Sequence, residues 1–296
     1  MASQRFFRPW GFILPGIVLG IITLVVPIVM GFRYSLHRIR LYRLSDQVFV
    51  GFQNYMRLFD DPLFMMSVRV TFWFTIGCTI LAVVFGLAIA AVMSTRGIRG
   101  TGAARFYMAF YLVPFVATQV VVGMLGRLYI WEPEYGMINW IIGLLGMDPV
   151  GWLISADTAL MVTTITNSWR LVPLALLVFY AALATIPDAI VESAEVDGAS
   201  ALTIFFRIKL PMIRFHISFV TLIILTSAFR EFDLVYALSG LGPGRSTNVL
   251  SMLVYHMGLS TANIGLANAI SFIMFGIVAV LAVVYIKAAK LSEMRE

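Results

Sequence analysis

Six apolar stretches recur along the 296-residue chain: Gly11 to Phe32, Val70 to Met93, Phe106 to Tyr129, Leu160 to Ala182, Phe215 to Leu238 and Ile264 to Ile286. Each is close to the roughly 20 residues that a helix rising about 1.5 Å per residue needs to cross the hydrocarbon of a bilayer. Lipid offers the backbone no hydrogen-bonding partner, so stretches of this kind must satisfy their own amides, and helices do so. The expected fold is therefore all-α, a polytopic membrane protein with six transmembrane helices. No polar block of soluble-domain size separates the stretches, and residues 1–296 are expected to form a single transmembrane domain.

Composition agrees. Hydrophobic residues make up 60% of the chain and charged ones 12%, against about a quarter charged in soluble domains. The net charge of +6 does not point to nucleic acid, because the cations are spread over short loops and form no basic stripe. The first stretch follows Arg5 and Arg8 but exceeds a signal-peptide core and lacks a small-residue cleavage site, so it reads as a retained span.

An even number of spans puts both termini on one side. With the termini cytoplasmic, Arg5, Arg8, Arg96, Arg99, Arg105, Arg207, Lys209, Arg214, Lys287, Lys290 and Arg295 all fall inside, in keeping with the positive-inside bias. The segment Trp131 to Asp157, with Glu132, Glu134, Asp148 and Asp157 and no Lys or Arg, suits the outside. Six arginines of the first outer loop, Arg33, Arg38, Arg40, Arg43, Arg57 and Arg69, run against the bias.

Several classes of chemistry lack their residues. Cys78 is the lone cysteine, so no intrachain disulfide exists. His37, His216 and His256 are scattered without ligand spacing, and no metal site is expected. A phosphate-binding Gly-x-x-x-x-Gly-Lys-Ser/Thr loop is absent, since Gly240 to Arg245 has neither its spacing nor its lysine. No cofactor is therefore expected on this chain. No repeat relates the two halves, as an inverted-repeat carrier would have.

The most informative polar segment separates the fourth and fifth stretches. Pro187 with acids in the following turns reads as a helix start, Gly198 as its left-handed stop, and Ser200 as the cap of a second helix ending near Pro211. Within it stand Glu192-Ser193-Ala194, Asp197-Gly198-Ala199 and Ile208-Lys209-Leu210-Pro211. This pattern resembles the signature loop of permease subunits of binding-protein-dependent ABC importers, Glu-Ala-Ala, Asp-Gly-Ala and Ile-x-Leu-Pro, with Ser193 replacing one alanine. Phe49-Val50-Gly51-Phe52-Gln53-Asn54-Tyr55 and Gly242-Pro243-Gly244-Arg245-Ser246-Thr247 are similar to the carbohydrate branch, of maltose and glycerol-phosphate type.

The resemblance implies that loop 186–211 is a coupling helix docking on a cytoplasmic ATPase dimer through Glu192, Ser193, Ala194, Asp197 and Gly198. ATP and Mg would be bound by that partner, and this chain would catalyse nothing. The other implied partners are a second homologous permease subunit, an extracytoplasmic solute-binding protein and membrane lipid, in a prokaryotic cytoplasmic membrane. The implied cargo is a sugar or related polar solute, or an anionic one such as glycerol phosphate.

Polar groups within the apolar stretches mark the expected solute pathway. An arginine at mid-membrane costs about 2.5–3.5 kcal/mol on insertion scales and calls for a partner or a hydrated cavity. Span four holds Asn167, Trp169, Arg170 and Pro173, and span five holds Arg230, Glu231 and Asp233. Two readings stay open: ion pairs such as Arg170 with Glu231, or groups that hydrogen-bond a solute while Trp169 offers a ring face. On helical spacing Arg230 is expected to meet Asp233, and Pro173 to bend its span. An ion-coupled secondary transporter using Arg170 and Glu231, or a lipid-linked transferase using Glu231 and Asp233, are the alternatives from other classes.

Overall fold

The computed structural model describes residues 13–95 and 97–293, excepting the side chains of residues 103–104 and 288–293. The expectations resting on Arg5, Arg8, Gly11, Arg96, Arg295 and the Lys290 side chain lie outside this description. In chain order, α1 (Ile13–Ser35) leads into a hairpin of β1 (His37–Arg40) and β2 (Arg43–Phe49), then α2 (Gln53–Asp60) and α3 (Pro62–Met93). α4 (Gly102–Val116), α5 (Gln119–Ile130), α6 (Met137–Leu144) and α7 (Ala156–Ala184) follow. α8 (Asp188–Val196), α9 (Ala201–Met212), α10 (Arg214–Phe229), α11 (Asp233–Leu238), α12 (Leu250–Tyr255) and α13 (Ile264–Glu293) complete the chain.

Helices α1, α3, α7 and α13 are each long and apolar enough to cross a membrane, and the pairs α4–α5 and α9–α10 add two more if each bent pair is one span. The expected third span is broken: α4 and α5 meet at 97°. Pro114 removes a backbone donor one turn before the bend, and Thr118 is extended at φ −64°, ψ 147°. The expected fifth span stops at Phe229, and α11 is a separate helix after Arg230–Phe232. By contrast α7 runs unbroken through Pro173, so that proline does not interrupt its span.

The described residues fall into two compact units, one within residues 1–65 and 253–277 and the other within residues 66–252 and 278–296. The second holds the main core. Phe74, Cys78, Ala82 and Ala90 of α3 pack with Leu171, Ala175, Leu176 and Phe179 of α7 and with Val220, Ile224 and Ala228 of α10. Small residues decide how close α3 and α7 come: a Cβ on Gly86 would collide with Ala175 Cβ, and one on Gly77 would lie 2.8 Å from Thr164 Cγ2. In lipid, where apolar burial gives no net drive between helices, such seams let dispersion hold them. Likewise α5 and α11 touch at Gly123, where a Cβ would sit 2.9 Å from the Leu234 carbonyl.

In the first unit the antiparallel hairpin pairs His37 with Phe49 and Arg38 with Val48. Asn54 of α2 donates its amide to the carbonyls of Ser35 (2.7 Å) and His37 (3.0 Å), and the Tyr55 hydroxyl meets Ser35 Oγ at 2.7 Å. These bonds fasten α2 to the end of α1.

Candidate functional site

Two places carry unusual polar or exposed chemistry, both in the second unit. The first is the projection between α7 and α10. Its turn closes as the sequence foretold: Gly198 N donates to Glu195 O at 3.0 Å and Ala199 N to Ala194 O at 2.9 Å, with Gly198 at φ +79°. This is the Schellman arrangement, which puts a left-handed residue just past the helix. Nothing lies within 4 Å of a Cβ at Gly198, so the backbone conformation alone calls for glycine there. Ser200 Oγ then accepts from Thr203 N at 3.3 Å and caps α9.

The projection is anchored on few residues. Ala194 and Ile204 are buried, and Val191 packs on the main core. Arg99, which the sequence reading used only for its charge, donates to the Ala184 carbonyl at 2.9 Å and pairs with Asp188 at 3.5 Å. Glu192, Ser193, Asp197 and Gly198 are exposed, and Val196 and Leu202 show 87% and 71% of their surface.

The second place is a buried polar chain across α3, α7, α5 and the break before α11. Asn167 and Arg170 share a face of α7, being three apart. Arg170 Nε and Nη2 donate to Asn167 Oδ1 at 3.3 and 3.2 Å, and Nη2 donates to Glu231 Oε2 at 2.8 Å. The pair is almost dry, with side-chain exposure of 8% for Arg170 and 1% for Glu231. Gln119 Nε2 adds a bond to Glu231 Oε2 at 3.3 Å, Leu234 N donates to Glu231 Oε1 at 3.1 Å, and Ser251 Oγ donates to the Glu231 carbonyl. At the far end Asn167 Nδ2 reaches Cys78 Sγ at 3.4 Å.

The same carboxylate explains the break in the fifth span. Glu231 caps the first turn of α11 through Leu234 N, so its side chain competes with continued helix where the hydropathy of the chain suggests none. Because the helix ends at Phe229, the spacing that would join Arg230 to Asp233 does not apply. Arg230 Nε donates instead to the Thr226 carbonyl at 3.2 Å, and among the described residues no ion pair links it to Asp233.

The expected pathway residues therefore separate. Asn167, Arg170 and Glu231 form one satisfied cluster. Trp169 turns to another face of α7, half-exposed on a cavity of about 430 Å³ lined also by Leu81, Phe85, Tyr111, Pro114 and Val172. Arg230 and Asp233 are exposed beside Phe232 and Tyr236, whose rings stack with centroids 5.4 Å apart at 22°. Cys78 was noted in the sequence as a lone cysteine but not as a partner of Asn167, and Gln119 and Ser251 were missed; of these two only Gln119, a lone amide in an apolar run, stands out in the sequence. Among the described residues no group of three or more His, Cys, Asp or Glu could hold a metal ion.

Residues 82–291 match the family model described as binding-protein-dependent transport system inner membrane component. The chain is 32% identical over 279 residues to the trehalose/maltose transport system permease protein MalF of Thermococcus litoralis, covering 94% of this chain and 92% of that one. It is 28% identical over 294 residues to the sn-glycerol-3-phosphate transport system permease protein UgpA of Salmonella typhimurium, covering 96% and 95%. Its fold matches a chain from the crystal structure of a bacterial ABC transporter involved in the import of the acidic polysaccharide alginate, with TM-score 0.83 and 22% identity, covering 98% and 96%.

Proposed function

Because the chain belongs to the binding-protein-dependent transport system inner membrane components, we propose that it is one of two homologous permease subunits of an importer that takes up a sugar or related polar solute. Residues 1–296 then form one transmembrane domain with its termini in the cytoplasm. A separate ATPase dimer holds ATP and Mg, and a solute-binding protein delivers the cargo from the other side. The observation that carries the reading is the projection α8–α9, an exposed two-helix element between two spans, held from behind by Ala194 and Ile204 and presenting Glu192, Ser193, Asp197, Val196 and Leu202 outwards. An element so exposed, with two large apolar side chains at its tip, is suited to a partner's cleft. Movement of the ATPase is thereby passed to α7 and α10, which flank it.

For the solute we assign different duties to the two groups of polar residues. Arg170 and Glu231 neutralise each other, and with Asn167 and Gln119 they clamp α7 to the break before α11. Arg230 and Asp233, beside the stacked Phe232 and Tyr236, remain open to solute: ring faces and charged hydrogen-bonding groups together suit sugar rings and hydroxyls. A sugar cargo is supported by the names of the relatives, the trehalose/maltose permease among them. Uptake of radiolabelled sugars by proteoliposomes holding the whole importer tests the proposal. Uptake should require internal ATP, and Tyr236→Ala should raise the solute concentration needed for half-maximal uptake by more than tenfold while leaving complex assembly intact. ATP-independent uptake driven by an ion gradient would replace this reading with a secondary transporter.

A further inference from the structure

The hairpin and α2, which carry the Phe49 to Tyr55 motif and most of the arginines that oppose the positive-inside bias, have no part in coupling or in the polar cluster. Their placement follows from three hydrogen bonds. Asn54 binds the carbonyls of Ser35 and His37, and Tyr55 binds Ser35 Oγ. Ser35 is the last residue of α1, a 23-residue helix, about 35 Å long at about 1.5 Å per residue and so slightly longer than the hydrocarbon core. Helix α2 is thus fixed at the depth where α1 leaves the hydrocarbon, among the lipid headgroups.

Which side of α2 is fixed is equally clear. Asn54 and Leu58 are buried against its own unit, whereas Phe52, Met56 and Phe59, spaced four and three apart, are 66%, 60% and 57% exposed. Those spacings put the three on one face of a helix. Phe49 at the end of β2 is exposed as well, and Phe59 meets Phe64 edge-on with centroids 5.8 Å apart. The same segment carries four exposed cations, Arg57 on α2 and Arg38, Arg40 and Arg43 on the hairpin, against two exposed acids, Asp46 on the hairpin and Asp60 at the end of α2. An apolar face rimmed by arginine is what lies flat in a bilayer interface, with rings below the phosphates and guanidiniums level with them. The most apolar stretch of α1 is likewise unburied within the chain, so lipid-facing surface continues from the span to the stripe.

We propose that α2 is an interfacial foot, which sinks Phe52, Met56 and Phe59 into the leaflet from which α1 emerges at Ser35 and lets Arg38, Arg40, Arg43 and Arg57 contact lipid phosphates. The occupant of the stripe is phospholipid, not a protein partner. The arginines thereby serve as lipid ligands, which removes their conflict with the orientation rule.

Spin labelling of the assembled importer in nanodiscs containing phosphatidylglycerol tests this. Cys78 is the chain's only cysteine and is fully buried, so Met56→Cys introduces a single accessible thiol and Asp46→Cys supplies an aqueous reference. Phe52→Cys serves in place of Met56→Cys if that variant assembles poorly. The label at position 56 should collide several-fold more with oxygen, which partitions into lipid, than with a water-soluble nickel chelate, reversing the ratio at position 46. Equal nickel accessibility at 56 and 46 would overturn the proposal in favour of a solvated helix. Protection of position 56 from both reagents would overturn it in favour of a protein-covered face.

Discussion

Arg170 and Glu231 are a buried pair whose value depends on both members being present. Removing one partner of such a pair leaves an uncompensated charge and costs about 3–5 kcal/mol, whereas replacing both with apolar residues of similar size is often neutral. Arg170→Met alone is therefore expected to lower the melting temperature of the purified complex sharply, and Arg170→Met with Glu231→Leu to recover most of it. If the clamp assignment is right, the double variant still transports; a stable double variant with no uptake would move the pair into the solute pathway. A second contrast sets two glycines apart. Gly86→Val would drive its side chain into Ala175, with the Leu176 amide only 3.1 Å from the new Cβ, and should abolish assembly. Gly198→Ala meets open space and only the strain of a left-handed residue, about 1–2 kcal/mol, so it should assemble with a modestly lowered melting temperature. Single residues were the least legible part of the sequence. Arg170 and Glu231 stood out because charge in an apolar run demands a partner, but Gln119, Cys78 and Ser251 join them from far along the chain, and nothing local announces that meeting.

At the scale of elements, the four unbroken spans were readable because length and hydropathy decide them, and the α8 turn because Pro187, Gly198 and Ser200 act locally. The two breaks were not. Residues 106–129 stay apolar across their bend, whose determinant is a proline one turn upstream, and the charges at 230–233 read as site residues within a span, whereas the Glu231 carboxylate turns back on Leu234 N and ends the helix there. The hairpin escaped notice for a related reason: β1 and β2 are rich in arginine, and their pairing rests on long-range support such as Leu41 N donating to the Ala262 carbonyl at 2.8 Å. The projection α8–α9 makes its own prediction. Leu202 is exposed, so Leu202→Asp should change the stability of the permease by less than about 0.5 kcal/mol, yet it places a charge on the face proposed to meet the ATPase. Co-purification of the ATPase should fall at least tenfold while the permease pair remains monodisperse.

For the whole molecule, a small-residue core, a broken helix pinned by a buried ion pair and an exposed two-helix projection stand together in a chain of the binding-protein-dependent transport system inner membrane component family. If the α8–α9 loop meets a cytoplasmic ATPase, as proposed, an even number of spans puts both termini on that side. A reporter enzyme active only in the cytoplasm, fused after Glu296, should be active. The reading that the projection couples ATP hydrolysis to transport is tested most directly by ATP-driven sugar uptake in proteoliposomes of the complete importer, comparing wild type with Val196→Asp/Leu202→Asp. The double variant should insert and pair normally but lose ATP-dependent uptake; uptake at the wild-type rate would rule out a coupling role for the projection.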